Sequence, residues 1–170
     1  MSSCGSFPNR VCFFGSYFLH LNHSRHFQVT NMHTSAGMIS LHTKGFADTQ
    51  NITDKVQALI RENPSVAGIV TLFIPGSTAG ITTIEFEPGV VSDFRKALER
   101  LIPQNIQYEH DTRWGDGNGF AHVRASFIGP SLTVPFSERS LLLGTWQQIV
   151  VVDFDNRPRD REIIVQILGE

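Results

Sequence analysis

The chain has 170 residues, 41% of them hydrophobic, with 14 Lys and Arg against 16 Asp and Glu for a formal charge of -2, which is the size and balance of one globular domain able to bury most of its surface. It contains no block of like charges. This excludes the basic footprint of a nucleic-acid binder and the polybasic patch of a membrane-surface protein, leaving small molecules as the expected ligands.

The first apolar run, Val11 to Leu21, is broken by Gly15, Ser16 and His20, whereas a spanning helix needs about 20 apolar residues. It is not a membrane span, and no A-x-A-like cleavage site follows it to mark a signal peptide. The two cysteines, Cys4 and Cys12, lie in the same stretch, so neither a disulfide framework nor a thiolate zinc site can be built on them. That usage fits a reducing cytosol and a cytoplasmic protein. Residues 1–36 are rich in Ser, Asn, His and Phe without a sustained period, and we expect a poorly structured N-terminal extension there. Residues 37–170 read as a single domain.

Ile39, Leu41 and Thr43 alternate as in a half-buried strand. Thr53 is placed to cap a helix on which Val56, Leu59 and Ile60 share a face with Ile52. Val66 to Pro75 and Gly80 to Glu87 are β-branched and aromatic around the turn Gly76-Ser77-Thr78-Ala79, predicting strand, turn, strand. Pro88 suits the first turn of a second helix ending near Ile102, with Val90, Val91, Phe94, Leu98 and Leu101 on one face and Asp93 at its edge. Four strand-like segments follow, 120–128, 132–136, 145–154 and 162–169, divided by turn residues. Neighbouring strands joined by short turns predict an α+β domain with largely antiparallel sheets and two main helices packed on one side.

Trp114-Gly115-Asp116-Gly117-Asn118-Gly119 precedes the first of those four segments. An EF-hand loop with Gly119 at its sixth position would have Trp114 first and Ala125 last, so it lacks both terminal acids. The glycines are spaced G-x-G-x-G and the next segment alternates like a strand, which also fails a dinucleotide fingerprint. On a strand, Ala121, Val123, Ala125 and Phe127 point one way and His122, Arg124 and Ser126 the other. With His110, Asp111, Asp116 and Asn118 nearby, these side chains could hold Mg²⁺, Mn²⁺ or Zn²⁺, although His110-x11-His122 is no established metal spacing. A solvated polar face behind a flexible turn accounts for the same residues equally well.

Glu85 shares a strand face with Ile81 and Thr83 and must be exposed or partnered. Gln147 shares one with Ile149 and Val151, where an ordinary cross-strand hydrogen bond would suffice. Arg159 and Arg161 in Asn-Arg-Pro-Arg-Asp-Arg-Glu have the fork geometry for phosphate or carboxylate, or form a solvated turn.

Taken together, FIPGSTAGITTIEFEPGVVSDF, YEHDTRWGDGNGFAHVRASFIGPSLTVPF and LLLGTWQQIVVVDFDNRPRDREIIVQILGE closely resemble the YjbQ-type family, described as secondary thiamine-phosphate synthase enzymes. The resemblance spans about residues 38 to 170. It implies a compact α+β protein, generally a homotrimer, with recurrent polar residues corresponding to Glu85, Asp93, His110, Asn118, His122, Gln147 and Arg161. One departure is Gly76-Ser77-Thr78-Ala79, where a large branch of the family has His-Thr-Thr-Ala, so no role of that histidine carries over to Gly76. The loop differs among members too, which leaves Asp116 less strongly implied than His122.

The activity implied by the resemblance joins a hydroxymethylpyrimidine diphosphate to a thiazole phosphate and releases pyrophosphate, at a site on a subunit boundary. Such chemistry calls for a divalent cation, Mg²⁺ or Zn²⁺, and for cationic donors facing the departing diphosphate. Glu85, Asp93 and Asp116 could supply cation oxygens, and Arg124, Arg159 or Arg161 the donors. Asn118 and Gln147 could bind substrate, while His110 and His122 could act as acid, base or metal ligand. Two other functions would use the same residues. One is a metal-dependent hydrolase of a small phosphorylated or anionic molecule; the other is a non-enzymatic trimeric anion-binding protein, consistent with the lack of a recognisable nucleophile.

Overall fold

A computed structural model describes residues 32–170. Cys4, Cys12, the Val11 to Leu21 run and residues 1–31 of the expected extension lie outside the described residues. The first strand, β1 (His33–Thr43), begins four residues before the boundary that composition suggests.

Two antiparallel sheets form the frame. In the first, the strand order is β1-β8-β3-β5-β6, with β3 (Gly68–Phe73), β5 (Ser131–Ser137), β6 (Ser140–Leu141) and β8 (Arg159–Gly169). The second has the order β2-β7-β4, with β2 (Asp48–Asn51), β7 (Gln148–Asp153) and β4 (Ala79–Ile84). Alternation decides the layers, because successive side chains of a strand point to opposite faces. Val70, Leu72, Val134, Ile163 and Val165 turn inward from the first sheet to meet Ile81, Ile149 and Val151 of the second. The other face of β7 carries Val150 and Val152, and these with Phe154 pack under the helices α2 (Pro88–Leu101) and α4 (Gly119–Ile128) through Leu98, Ile102, Phe120, Ala121 and Ala125. Buried on both faces, β7 reads as an unbroken Ile-Val-Val-Val run, as expected of a central strand. The architecture is therefore α+β, layered sheet, sheet, helices.

The helix α1 (Thr53–Glu62) sends Val56 and Ile60 into the core between the sheets. Thr53 is its first residue, not its cap. Its backbone N–H and hydroxyl both donate to Asn51 Oδ1, at 2.9 and 2.7 Å, and the hydroxyl accepts from the Ile149 N–H. Pro88 does open α2, where the Glu87 carboxylate caps the Gly89 and Val90 amides.

Residues 120–128, whose alternation predicts a strand, form α4 instead. Packed between β4 and α2, this helix is apolar on most sides, so the 3.6-residue stripe that marks an amphipathic helix is missing and its alanines mimic period two. The following Gly129-Pro130, which divides two strands in the sequence reading, is the stop signal of a helix. The short helix α3 (Glu109–Trp114) precedes it and also goes unannounced by the sequence. Among the described residues no helix is long and apolar enough to cross a membrane.

Candidate functional site

The Gly-rich loop is the connection between α3 and α4. Gly115 ends α3 with φ 71° and Gly117 follows with φ 64°, both in the left-handed region that favours glycine. Gly119 opens α4 for a different reason. A Cβ there would lie 2.5 Å from Tyr108 Cβ, closer than packed atoms approach, so glycine lets α3 and α4 meet. The contact is completed by Asp111, whose Oδ1 accepts the Gly119 N–H at 2.7 Å, a carboxylate at the positive end of α4.

This junction assembles a polar cluster. Nδ1 of His110 is shut off from solvent without a hydrogen-bond partner among the described residues. It lies 3.3 Å from Asp116 Oδ1 and 3.6 Å from Asp111 Oδ1. One ligand atom from each of His110, Asp111 and Asp116 falls within 4.8 Å of the others. A buried, unpartnered imidazole nitrogen facing two carboxylates is a donor set that fits a divalent cation. Asn118, with its amide turned to suit its neighbours, donates to both Asp116 oxygens at 3.2 Å. His122, one turn into α4, stacks on His110 with ring centroids 4.2 Å apart and planes tilted by 33°. Burial holds the His122 imidazole below its ordinary value; His110 adds to this, and the nearby Asp116, Asp155 and Asp111 oppose it. The group of ligand atoms within 4.8 Å of one another is completed by Asp111, while His122 flanks it through its stack on His110.

Beside the cluster opens a cavity of about 360 Å³ lined by Asp116, Asn118, Asn156, Arg157 and Arg159. The Asn156 amide donates to the Asp116 carbonyl at 2.7 Å and pins the loop to the cavity wall. Behind this wall the two sheets are joined by a buried ionic network. Arg161 grips Asp153 through Nε and Nη2, at 2.7 and 2.8 Å, and donates to Thr78 Oγ1 at 2.7 Å. Thr43 donates to the same aspartate, and Arg159 donates to Asp155 at 2.8 Å. Burial alone would raise the Asp155 carboxyl, but hydrogen bonds from Arg159, Thr78 and the Asn156 amide, with the Arg159 charge, outweigh it and hold it below the ordinary carboxylate range.

Of the residues singled out from sequence, one chain brings together His110, Asp116, Asn118, His122 and Arg159, with Arg161 immediately behind. Four others sit elsewhere. Arg124 is buried and cannot meet a ligand: it donates to the Ile102 carbonyl at the end of α2 through Nε and Nη2, at 2.9 and 2.6 Å, and pairs with Glu99 at 2.6 Å. A helix turns residues two apart by about 200°, so His122 and Arg124 lose the common face that the strand pattern gives them. Glu85 is exposed just beyond β4, seven residues from Thr78, or about 20 Å along an extended chain. Gln147 is at that same far end, where it donates to Thr83 Oγ1 at 2.9 Å. Asp93 is exposed on α2 and faces Lys96. Conversely Asp111, Asn156 and Arg157 join the site, although sequence reasoning gave the last two no role. The signal for Arg157 was the repeated parity of Asp153, Asp155, Arg157, Arg159 and Arg161, to which Asn156 does not belong.

Comparison with known proteins agrees with this architecture. A UPF0047 protein of Archaeoglobus fulgidus is 34% identical over 130 residues, covering 76% of this chain and 98% of its own. One from Methanocaldococcus jannaschii is 38% identical over 121 residues, 71% of this chain and 84% of its own. A crystal structure from Sulfolobus solfataricus P2, described as a YbjQ-like protein of unknown function, superposes with a TM-score of 0.77 at 31% identity, covering 82% of this chain and all of the other. The family profile described as UPF0047 protein YjbQ-like matches residues 37–170, and with the shared two-sheet fold this establishes that the chain belongs to the YjbQ/UPF0047 family.

Proposed function

We propose that this protein is a cation-assisted transferase acting on small phosphorylated molecules, the reaction being the union of a hydroxymethylpyrimidine diphosphate with a thiazole phosphate to give thiamine phosphate and pyrophosphate. The observation that carries the reading is the buried, unpartnered His110 Nδ1 facing Asp111 and Asp116 at the mouth of a cavity that also holds Arg157 and Arg159. His110, Asp111 and Asp116 would hold Mg²⁺ or Zn²⁺, which when bound offsets negative charge on the diphosphate. Arg157 and Arg159 offer further donors to the same oxygens as the carbon–oxygen bond breaks and pyrophosphate leaves with the electron pair. His122, whose pKa burial lowers, can accept or return a proton at that edge. A cavity of about 360 Å³ lies at the small end of ligand-sized pockets, matching compact precursors.

A homotrimer belongs to the same proposal. Its support is the outer face of the first sheet, where Met38, Ile164 and Phe73 lie side by side in register and exposed, with Ile69 on the same face. The test of the activity is pyrophosphate release from the two substrates by purified protein. Release should need added divalent cation, stop with EDTA, and fall by about a hundredfold or more in His110→Ala and His122→Ala. Turnover indifferent to chelator and to both substitutions would remove the proposal.

A further inference from the structure

His122, which does not reach the arginine-lined cavity, lines a hollow of its own. This niche of about 180 Å³ is formed with Gly76, Ser77, Ala79, Ala125, Ser126 and Pro130. It differs in chemistry from the arginine-lined cavity. No carboxylate or lysine lines it, and Ala79, Ala125 and Pro130 make much of its wall apolar. A cavity of about 150 Å³ with apolar walls accommodates one benzene ring, so the niche is the size of a single six-membered ring.

Two further features keep it open. Gly76 has φ 119°, in a region that disfavours any side chain. The point where its Cβ would lie is 3.3 Å from Arg161 Nη1. Arg161 is nine-tenths buried and its Nε and Nη2 are engaged by Asp153 and Thr78, yet Nη1 has no hydrogen-bond partner among the described residues.

We propose that this niche is the second compartment of the phosphate site, holding a compact uncharged ring of the substrate against His122 while the phosphate lies with Arg157 and Arg159. The inference rests on the proposed function above, because it assigns the ring-binding half of that same site. The two compartments share no lining residue, but Asn118 of the cavity and His122 of the niche lie one helical turn apart at the start of α4, so ring and phosphate must be joined through a linkage that passes this turn.

The experiment is titration calorimetry of the full chain in saturating Mg²⁺ with methylphosphonate, phenylphosphonate, benzylphosphonate and phenethylphosphonate, whose carbon–phosphorus bonds resist hydrolysis. At least one aryl compound should bind about tenfold or more tighter than methylphosphonate, since a buried ring removes its apolar surface from water. Ser126→Phe, from the exposed side of α4, and Ser77→Phe, from the exposed turn, each fill the niche from a different wall. Both should abolish the aryl advantage and leave methylphosphonate binding within about twofold, whereas Ser126→Ala should behave as wild type. The inference is overturned if the wild type shows no aryl advantage or if the advantage survives both plugs. It is equally overturned if folded plug variants lose methylphosphonate in proportion. If the wild type binds no phosphonate at all, the proposed phosphate site itself is wrong and the niche falls with it.

Discussion

Arg124 shows how one side chain changes meaning when its neighbours are known. It is 1% exposed, its guanidinium closes the C-terminus of α2 at Ile102, and it lies 5.2 Å over the Phe120 ring. A cation at that helix end compensates the dipole and satisfies a carbonyl that would otherwise be orphaned. Glu99 is half exposed, so its pairing adds little beyond orientation. Replacing Arg124 with Met should therefore destabilise the protein by about 2 kcal/mol, mainly through the unsatisfied Ile102 carbonyl, and leave cation binding at His110 unchanged. Urea unfolding beside calorimetric Mg²⁺ titration separates the two effects. A variant of native stability that loses cation or substrate would return Arg124 to the binding role its sequence neighbourhood suggests.

Among elements, the link between β7, β8 and the start of β4 carries a dependence on pH. Asp155 has a folded-state pKa below its ordinary value of 3.8, so the unfolded chain binds a proton more readily than the folded one. Its stabilising contribution is present above the ordinary value and is lost as pH falls through the lowered one. Unfolding midpoints should thus decline on acidification toward that window, and Asp155→Asn, which cannot give Arg159 a charged partner, should decline less steeply from a lower starting stability. An identical slope in the variant would assign the acid sensitivity elsewhere. Of these strands β8, like α1 and α2, was legible in sequence because each presents one apolar face at a single period, and β4 and β7 were legible because their β-branched runs mark strands. The helix α4 was not, since its exposed side carries the apolar Val123 and Phe127 while the charged Arg124 lies on its buried side, which erases the period that identifies a helix. That one misreading hid the site: as a strand, residues 120–128 pair His122 with Arg124, while as a helix they send His122 to His110 and Arg124 to α2. The dinucleotide fingerprint stays excluded on different grounds. Gly119 does open a helix, but the element before the loop is α3, where the fingerprint requires a strand.

At the scale of the whole molecule, the first sheet is covered on only one side among the described residues. Its inner face meets the second sheet, and its outer face presents Met38, Ile164 and Phe73 in one row across β1, β8 and β3, with Ile69 near the end of β3. Contiguous apolar surface of this kind on a sheet is characteristic of an association face, and the homotrimer proposed above would cover it. Sedimentation equilibrium of wild type at micromolar concentration should give three times the mass of the 19.0 kDa chain. Phe73→Glu, at an exposed position, should leave the fold intact and shift the protein to monomer, because a carboxylate in a closed apolar interface goes unpaired. If the site is completed across subunits, pyrophosphate release should disappear with the trimer while cation binding by His110, Asp111 and Asp116 persists. A monomeric wild type, or a monomeric variant with full turnover, would confine the function to the single chain.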